Sequence, residues 1–137
     1  MKELTIEATV DNLDQVIRFI DEQLEAVDCP IKEQMKIDVA VEEIFVNIAS
    51  YAYAPKTGIA EIQVEFEENP RAVVITFIDS GVPYDPLEKA DPDVSLSLQE
   101  RQVGGLGIFM VKKSMDGMIY QYKNGQNILN IRKNLHE

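Results

Sequence analysis

A carboxylate and a carboxamide one helical turn apart, Glu43 and Asn47, lie within a stretch that otherwise reads as a buried helix. Pro30 suits the first turn of that helix, and Pro55 and Gly58 break it after about residue 54. Ile37, Val41, Ile44 and Ile48 flank the polar pair on one side, and Val39 and Val46 flank it on the other. Residues four apart share a helix face, so both polar groups are carried into an apolar surface. Glu42 falls further round, beside Asp38, where it is expected to face water. A carboxylate buried without a partner is costly, so the fold has to compensate this pair. Two readings fit. Either the pair bonds to neighbouring backbone or to Lys36, or it faces a ligand. In the second case the Asn47 oxygen is a hard ligand suited to Mg²⁺, and the Glu43 carboxylate can accept a proton.

The surrounding periodicities predict what this helix packs against. Residues 4–9 alternate weakly, as a first strand does. Asp11 or Asn12 can cap a helix in which Leu13, Val16, Ile17, Ile20, Leu24 and Val27 recur at helical spacing. Residues 59–67 set Ile62, Val64 and Phe66 against Glu61, Gln63, Glu65 and Glu67, the pattern of a half-exposed strand. After Asn69-Pro70, residues 72–78 read as a more continuously apolar strand that stops at Asp79-Ser80-Gly81. Between Gly81 and Gly104 lie Pro83, Pro86 and Pro92 without convincing periodicity, and so long a connection is usually a functional or a mobile loop. Gly104-Gly105-Leu106-Gly107 precedes a short helix over 108–115, and residues 118–123 and 128–133 make a hairpin about Asn124-Gly125. Mostly antiparallel strands with helices on one face predict the α+β class, as a two-layer α/β sandwich. No repeat or linker divides residues 1–137, which are expected to form one domain.

A chain of 137 residues can bury one core without disulfides or metal. Its formal net charge of -11 repels phosphate backbones, and no cluster of Lys or Arg offsets this, so nucleic-acid binding is not expected. The same field opposes a nucleoside triphosphate. Any such site must bring its own positive ends, from backbone N–H groups, Mg²⁺ or a local Lys or Arg. Cys29 is the sole cysteine, which excludes an intramolecular disulfide and gives no support for a thiolate cluster. No signal-like apolar core opens the chain and no run approaches the roughly 18 apolar residues of a membrane span, so a cytoplasmic protein is expected.

Two further positions carry chemistry. Asp79 closes an apolar strand beside Ser80-Gly81, so its carboxylate can project from the sheet's end and accept from an exocyclic amine such as that of adenine. An Asx turn ending the strand is the alternative. Gly104, Gly105 and Gly107 place N–H groups at a helix start with no Cβ in the way, which answers the phosphate requirement; a plain tight turn is the alternative. Arg101 upstream, with Lys112 and Lys113 in the helix, either supplement those amides or solubilise the surface.

Glu43-Ile44-Phe45-Val46-Asn47, Asp79-Ser80-Gly81 and Gly104-Gly105-Leu106-Gly107 resemble, in order and separation, the ATP-binding motifs of the gyrase, heat-shock chaperone, histidine kinase and MutL superfamily. Within it the chain most resembles the anti-sigma factor serine/threonine kinases, over nearly its whole length. The resemblance implies a histidine kinase-like, Bergerat-type ATP-binding fold with ATP and Mg²⁺ as cofactors. It implies that Asn47 binds Mg²⁺ and that Asp79, with Gly81 beside it, receives the adenine amine. Gly104, Gly105, Leu106 and Gly107, helped by Arg101, would wrap the phosphates under a mobile lid. Glu43 would be the general base, taking a proton from a serine or threonine of an antagonist (anti-anti-sigma) protein. The chain would also sequester a sigma factor, usually as a homodimer. Three positions depart from the pattern. Pro83 stands where a second glycine is frequent, and Tyr51 where His or Lys is common. Gly125-Gln126-Asn127 replaces the usual Gly-Thr, so the hydroxyl that supports the adenine contact is missing or replaced by an amide.

The implied function is an ATP-dependent protein serine/threonine kinase that regulates transcription through a sigma factor. The alternative is an ATP-gated interaction module of the same fold that transfers no phosphate. A histidine kinase catalytic piece fits less well, because the only histidine, His136, is the penultimate residue. A mismatch-repair type of ATPase would direct Glu43 at water and normally needs further domains.

Overall fold

The alternating segments become strands and the 3.6-period segments become helices in a computed structural model that describes residues 1–88 and 105–135. The strands are β1 (Lys2–Glu7), β2 (Ile59–Glu67), β3 (Ala72–Asp79), β4 (Gly117–Lys123) and β5 (Gln126–Asn134). They form one sheet in the order β1-β2-β3-β5-β4, with every pairing antiparallel. The helices are α1 (Leu13–Glu25), α2 (Ile31–Asn47) and α3 (Gly105–Ser114). Asn124 and Gly125 both take positive φ in the β4–β5 turn, as a two-residue hairpin of this sequence requires.

Directly paired strand residues point to the same face. Ile62 lies opposite Phe77, Val64 opposite Ile75, and Ile75 opposite Ile131, and all five are buried. On that face they meet Val16, Ile20 and Leu24 of α1, Ile37, Val41 and Phe45 of α2, and Val111 of α3 in one core. This is the α+β, two-layer arrangement that the periodicities predict. The same register sets Asp79 opposite Asn127 at the end of the central strands, on the helix-covered face. Lys133 ties the far end of α3 to the sheet, donating to the Ser114 carbonyl at 2.9 Å and facing Glu33 and Asp116 at 3.5 and 3.6 Å. A cation there also suits the negative end of the α3 dipole.

Several local expectations change. Asn12 does not cap α1 with its side chain; its amide donates back to the Glu7 carbonyl at 2.8 Å, so a short 3-10 turn (Val10–Asn12) leads into the helix. Val39 is 54% exposed, on the solvent side of α2 with Met35 and Ile31, so the polar pair is flanked by core on one side only. Glu42 is exposed as expected. α2 does not stay α-helical to residue 54, because a π-helical turn (Ile48–Ala52) follows Asn47. Gly105-Leu106-Gly107 forms the first turn of α3 instead of preceding it. Gly104, Arg101, His136 and most of the long connection lie outside the described residues.

Between α1 and α2 the chain packs acid against acid. Gln34 donates to Asp21 at 3.1 Å and to Glu25 at 3.2 Å, and Asp38 faces the same cluster. Asp38 Oδ1 is buried and has no donor among the described residues, so two carboxylates can meet there only by sharing a proton. Burial first, then the hydrogen bond to Asp21 and the charges of Asp21 and Glu25, push the Asp38 carboxyl up to about 7. A folded-state pKa raised above the unfolded value of 3.8 stabilises the protein in acid, and that contribution is lost as pH rises toward 7. Asp38→Asn is therefore expected to raise stability more at pH 8 than at pH 5, as read by urea unfolding at the two values. An equal effect at both would show that the shared proton is absent.

Candidate functional site

The π-helical turn after Asn47 swings the chain toward the end of the sheet, and π turns of this kind are frequent at functional sites. Tyr53, just past it, clamps the segment that follows β3. Its hydroxyl donates to the Ile59 carbonyl at 2.6 Å and accepts from the Ser80 N–H at 2.8 Å. The Val82 N–H donates to the Ala52 carbonyl at 2.9 Å. Gly81 is required by that approach, since a Cβ would lie 2.6 Å from the Ala52 carbonyl carbon. The Asp79-Ser80-Gly81 turn is thereby held against the end of α2.

These constraints place Asn47 and Asp79 on the wall of one cavity of about 50 Å³. Ile44 and Ile48 of the α2 segment, Phe77 of β3 and Ile108 of α3 supply apolar wall, and Tyr84 and Pro86 cover it. Among the described residues neither Glu43 nor Asn47 spends its side chain on an internal hydrogen bond, so the pairing with backbone or Lys36 is not realised.

Asp79 realises the Asx turn and still keeps a carboxylate oxygen for a ligand. Its Oδ1 accepts from the Gly81 N–H at 2.9 Å, which is the Asx turn, and also from Asn127 Nδ2 at 2.9 Å. Among the described residues Oδ2 is left as the acceptor with open positions. Asn127 also donates to the Val82 carbonyl at 2.9 Å, while its Oδ1 accepts from the Tyr84 N–H at 3.1 Å and from the Tyr120 hydroxyl. Burial pushes the Tyr120 phenol above its usual range, which keeps its O–H a donor at neutral pH.

Glu43 reaches across from α2 to the first turn of α3. Its carboxylate lies against the Gly107 backbone so closely that a Cβ on Gly107 would sit 2.6 Å from Glu43 Cδ. A helix's first turn presents unpaired N–H groups and positive dipole, which favours an anion at that spot. Glu43, Asn47, Asp79, Gly81 and Gly107 are thus gathered between the end of α2, the end of β3 and the start of α3. Gly105 and Leu106 belong to the same helical turn. Lys112 and Lys113 fall in the last turn of α3, and Lys113 sits 5.3 Å over the Phe109 ring, so it covers that ring instead of the helix start. Sequence reasoning missed Tyr53, Tyr84 and Tyr120. Nothing in their spacing marked them, because their partners lie far away along the chain. Asn127 was visible as a departure from Gly-Thr.

The donor set fits a nucleotide: one open carboxylate oxygen beside apolar walls for a base, a hard amide oxygen for a divalent ion, and helix-start amides for phosphate. Comparison with known proteins points the same way. The profile of the histidine kinase-like ATPase domain matches residues 6–133. The serine/threonine-protein kinase BtrW of Bordetella bronchiseptica is 30% identical over 95 residues, which cover 69% of this chain and 66% of that protein. The RsbU and RsbW domains of Rv1364c from Mycobacterium tuberculosis superpose with a TM-score of 0.63 at 16% identity, over 98% of this chain and 33% of that one. The histidine kinase domain of the blue-light activated kinase EL346 from Erythrobacter litoralis gives 0.54 at 16%, over 90% of this chain and 59% of that one. The chain thus spans a little less than two thirds of its kinase relative and smaller shares of these two structures, whose likeness is one of fold. With nearly the whole chain covered by that profile, and the same arrangement of helices on an antiparallel sheet, the protein belongs to the histidine kinase-like ATPase domain family.

Proposed function

We propose that this chain binds Mg-ATP and transfers the terminal phosphoryl group to a serine or threonine hydroxyl of a partner protein. The observation that carries the reading is the convergence of Asn47 and Asp79 on one cavity, with Glu43 one turn away against Gly107. Asp79 offers its free oxygen to the base amine, and the apolar walls flank the ring. Asn47 supplies an oxygen ligand to Mg²⁺, which when bound neutralises phosphate charge. The first-turn amides of α3, with Gly104 and Arg101 from the preceding segment, receive the phosphates. Phosphoryl transfer needs positioning and charge neutralisation more than covalent help from the protein. Glu43 accepts the proton of the attacking hydroxyl as the new O–P bond forms and the bond to the nucleoside diphosphate breaks. The serine/threonine-protein kinase relative supports a protein hydroxyl as acceptor. In this reading the acceptor belongs to an antagonist protein, the regulated partner is a sigma factor, and the chain acts in the cytoplasm as a homodimer. Sites for small ligands typically hold about 300–1,000 Å³, so the 50 Å³ cavity has to widen to admit a base.

Calorimetry is expected to show that Asn47→Ala loses Mg-ATP binding; unchanged affinity would remove Asn47 from the metal site. Glu43→Gln is expected to keep nucleotide affinity while phosphoryl transfer in a radiolabel assay falls about 10²- to 10⁴-fold. Transfer at the parent rate would place the base elsewhere, and its absence from the parent protein with Mg-ATP bound would leave a nucleotide-gated interaction module.

Gly107→Ala tests the contact itself. The obstacle to the new methyl is the mobile end of Glu43, so the carboxylate swings away and stability changes by less than about 1 kcal/mol. Transfer at saturating ATP is expected to drop, with little further loss when Glu43→Gln is added, because both changes remove the same interaction. Additive losses would show that Gly107 acts independently of Glu43.

A further inference from the structure

One side chain holds the base end of the cavity together, and it belongs to one of the motifs that depart from the family pattern. Asn127 is 7% exposed and lies beside Asp79 across β3 and β5. Its amide spends both N–H donors, on Asp79 and Val82, and its oxygen accepts from Tyr84 and Tyr120. That is the full complement a primary amide can satisfy. The orientation is fixed by its neighbours: the flipped amide would set oxygen against the Asp79 and Val82 oxygens and N–H against the Tyr84 N–H. A threonine has a single hydroxyl proton and cannot donate to Asp79 and Val82 together.

Resting on the reading that Asp79 receives the base amine, we propose that Asn127 is a positioning residue that sets base specificity. Its amide holds Asp79 so that Oδ2 is the acceptor turned to the ligand. Through Val82 and Tyr84 it fixes the adjoining wall of the cavity in the same frame. Asn127 need not touch the nucleotide; it decides which Asp79 oxygen is free and where that oxygen stands.

Calorimetric titration with Mg-ATP and with Mg-ITP, which lacks the 6-amino group, tests this. The parent is expected to prefer ATP. Asn127→Ala is expected to lower ATP affinity about tenfold or more, the scale of a hydrogen bond to a charged group, while ITP affinity changes little. The ratio then collapses. Asn127→Thr keeps one donor and is expected to recover the ratio in part. If the alanine variant fails to fold by circular dichroism, Asn127→Asp, of the same size with its donors removed, is expected to lose the ratio likewise. Equal loss of ATP and ITP affinity would overturn the proposal by showing a purely structural role. A collapsed ratio in Asp79→Asn with an unchanged ratio in the Asn127 variants would overturn it while leaving the nucleotide reading intact. A parent that binds neither nucleotide, or both equally, would sink both.

Discussion

The contact of the Glu43 carboxylate with the Gly107 backbone joins the two ends of the candidate site, and the arrangement of the rest follows from it. A carboxylate on the inner side of a core helix is costly to desolvate, and the fold meets that cost by facing it with the start of another helix. Glycine is the residue that lets the two surfaces come so close. Once α3 begins there, Ile108 closes the cavity shared by Asn47 and Asp79, and Lys133 pins the helix's other end to the sheet. The acidic chain thereby faces its own inward carboxylate with backbone dipoles in place of a basic patch.

Most of the fold was legible in the sequence because hydrophobic period maps directly onto burial. Residues 59–67 alternate and form β2 with those bounds, and the stripe of Val16, Ile20 and Leu24 is fully buried. The hairpin followed from Asn124-Gly125, whose backbone preference is local. Failures came where a tertiary partner outweighed a local preference. Asn12 finds the Glu7 carbonyl in place of its own helix, and Val39 keeps helical spacing while facing solvent. The π turn after Asn47 has no periodic signature, since a single turn at a helix end is too short to set a period of its own.

The site was legible in part. Glu43 and Asn47 are conspicuous because polar residues on an apolar helix face demand a reason, and Asp79 because a strand that ends on a carboxylate has few uses for it. What joins them was not. Tyr53 is 27 residues from Ser80, Asn127 is 48 from Asp79, and the network exists only once β3 and β5 lie side by side. The amide at 127 reads as a lost motif in one dimension and as a fully satisfied junction in three.

The most direct measurement is a crystal structure with Mg²⁺ and a non-hydrolysable ATP analogue. The expected result has Asn47 Oδ1 in the metal's coordination shell, Asp79 Oδ2 on the 6-amino group, and Glu43 beside the terminal phosphate at the start of α3. A nucleotide bound away from these groups, or Glu43 and Asn47 turned from it into solvent, would contradict the assignment of the site.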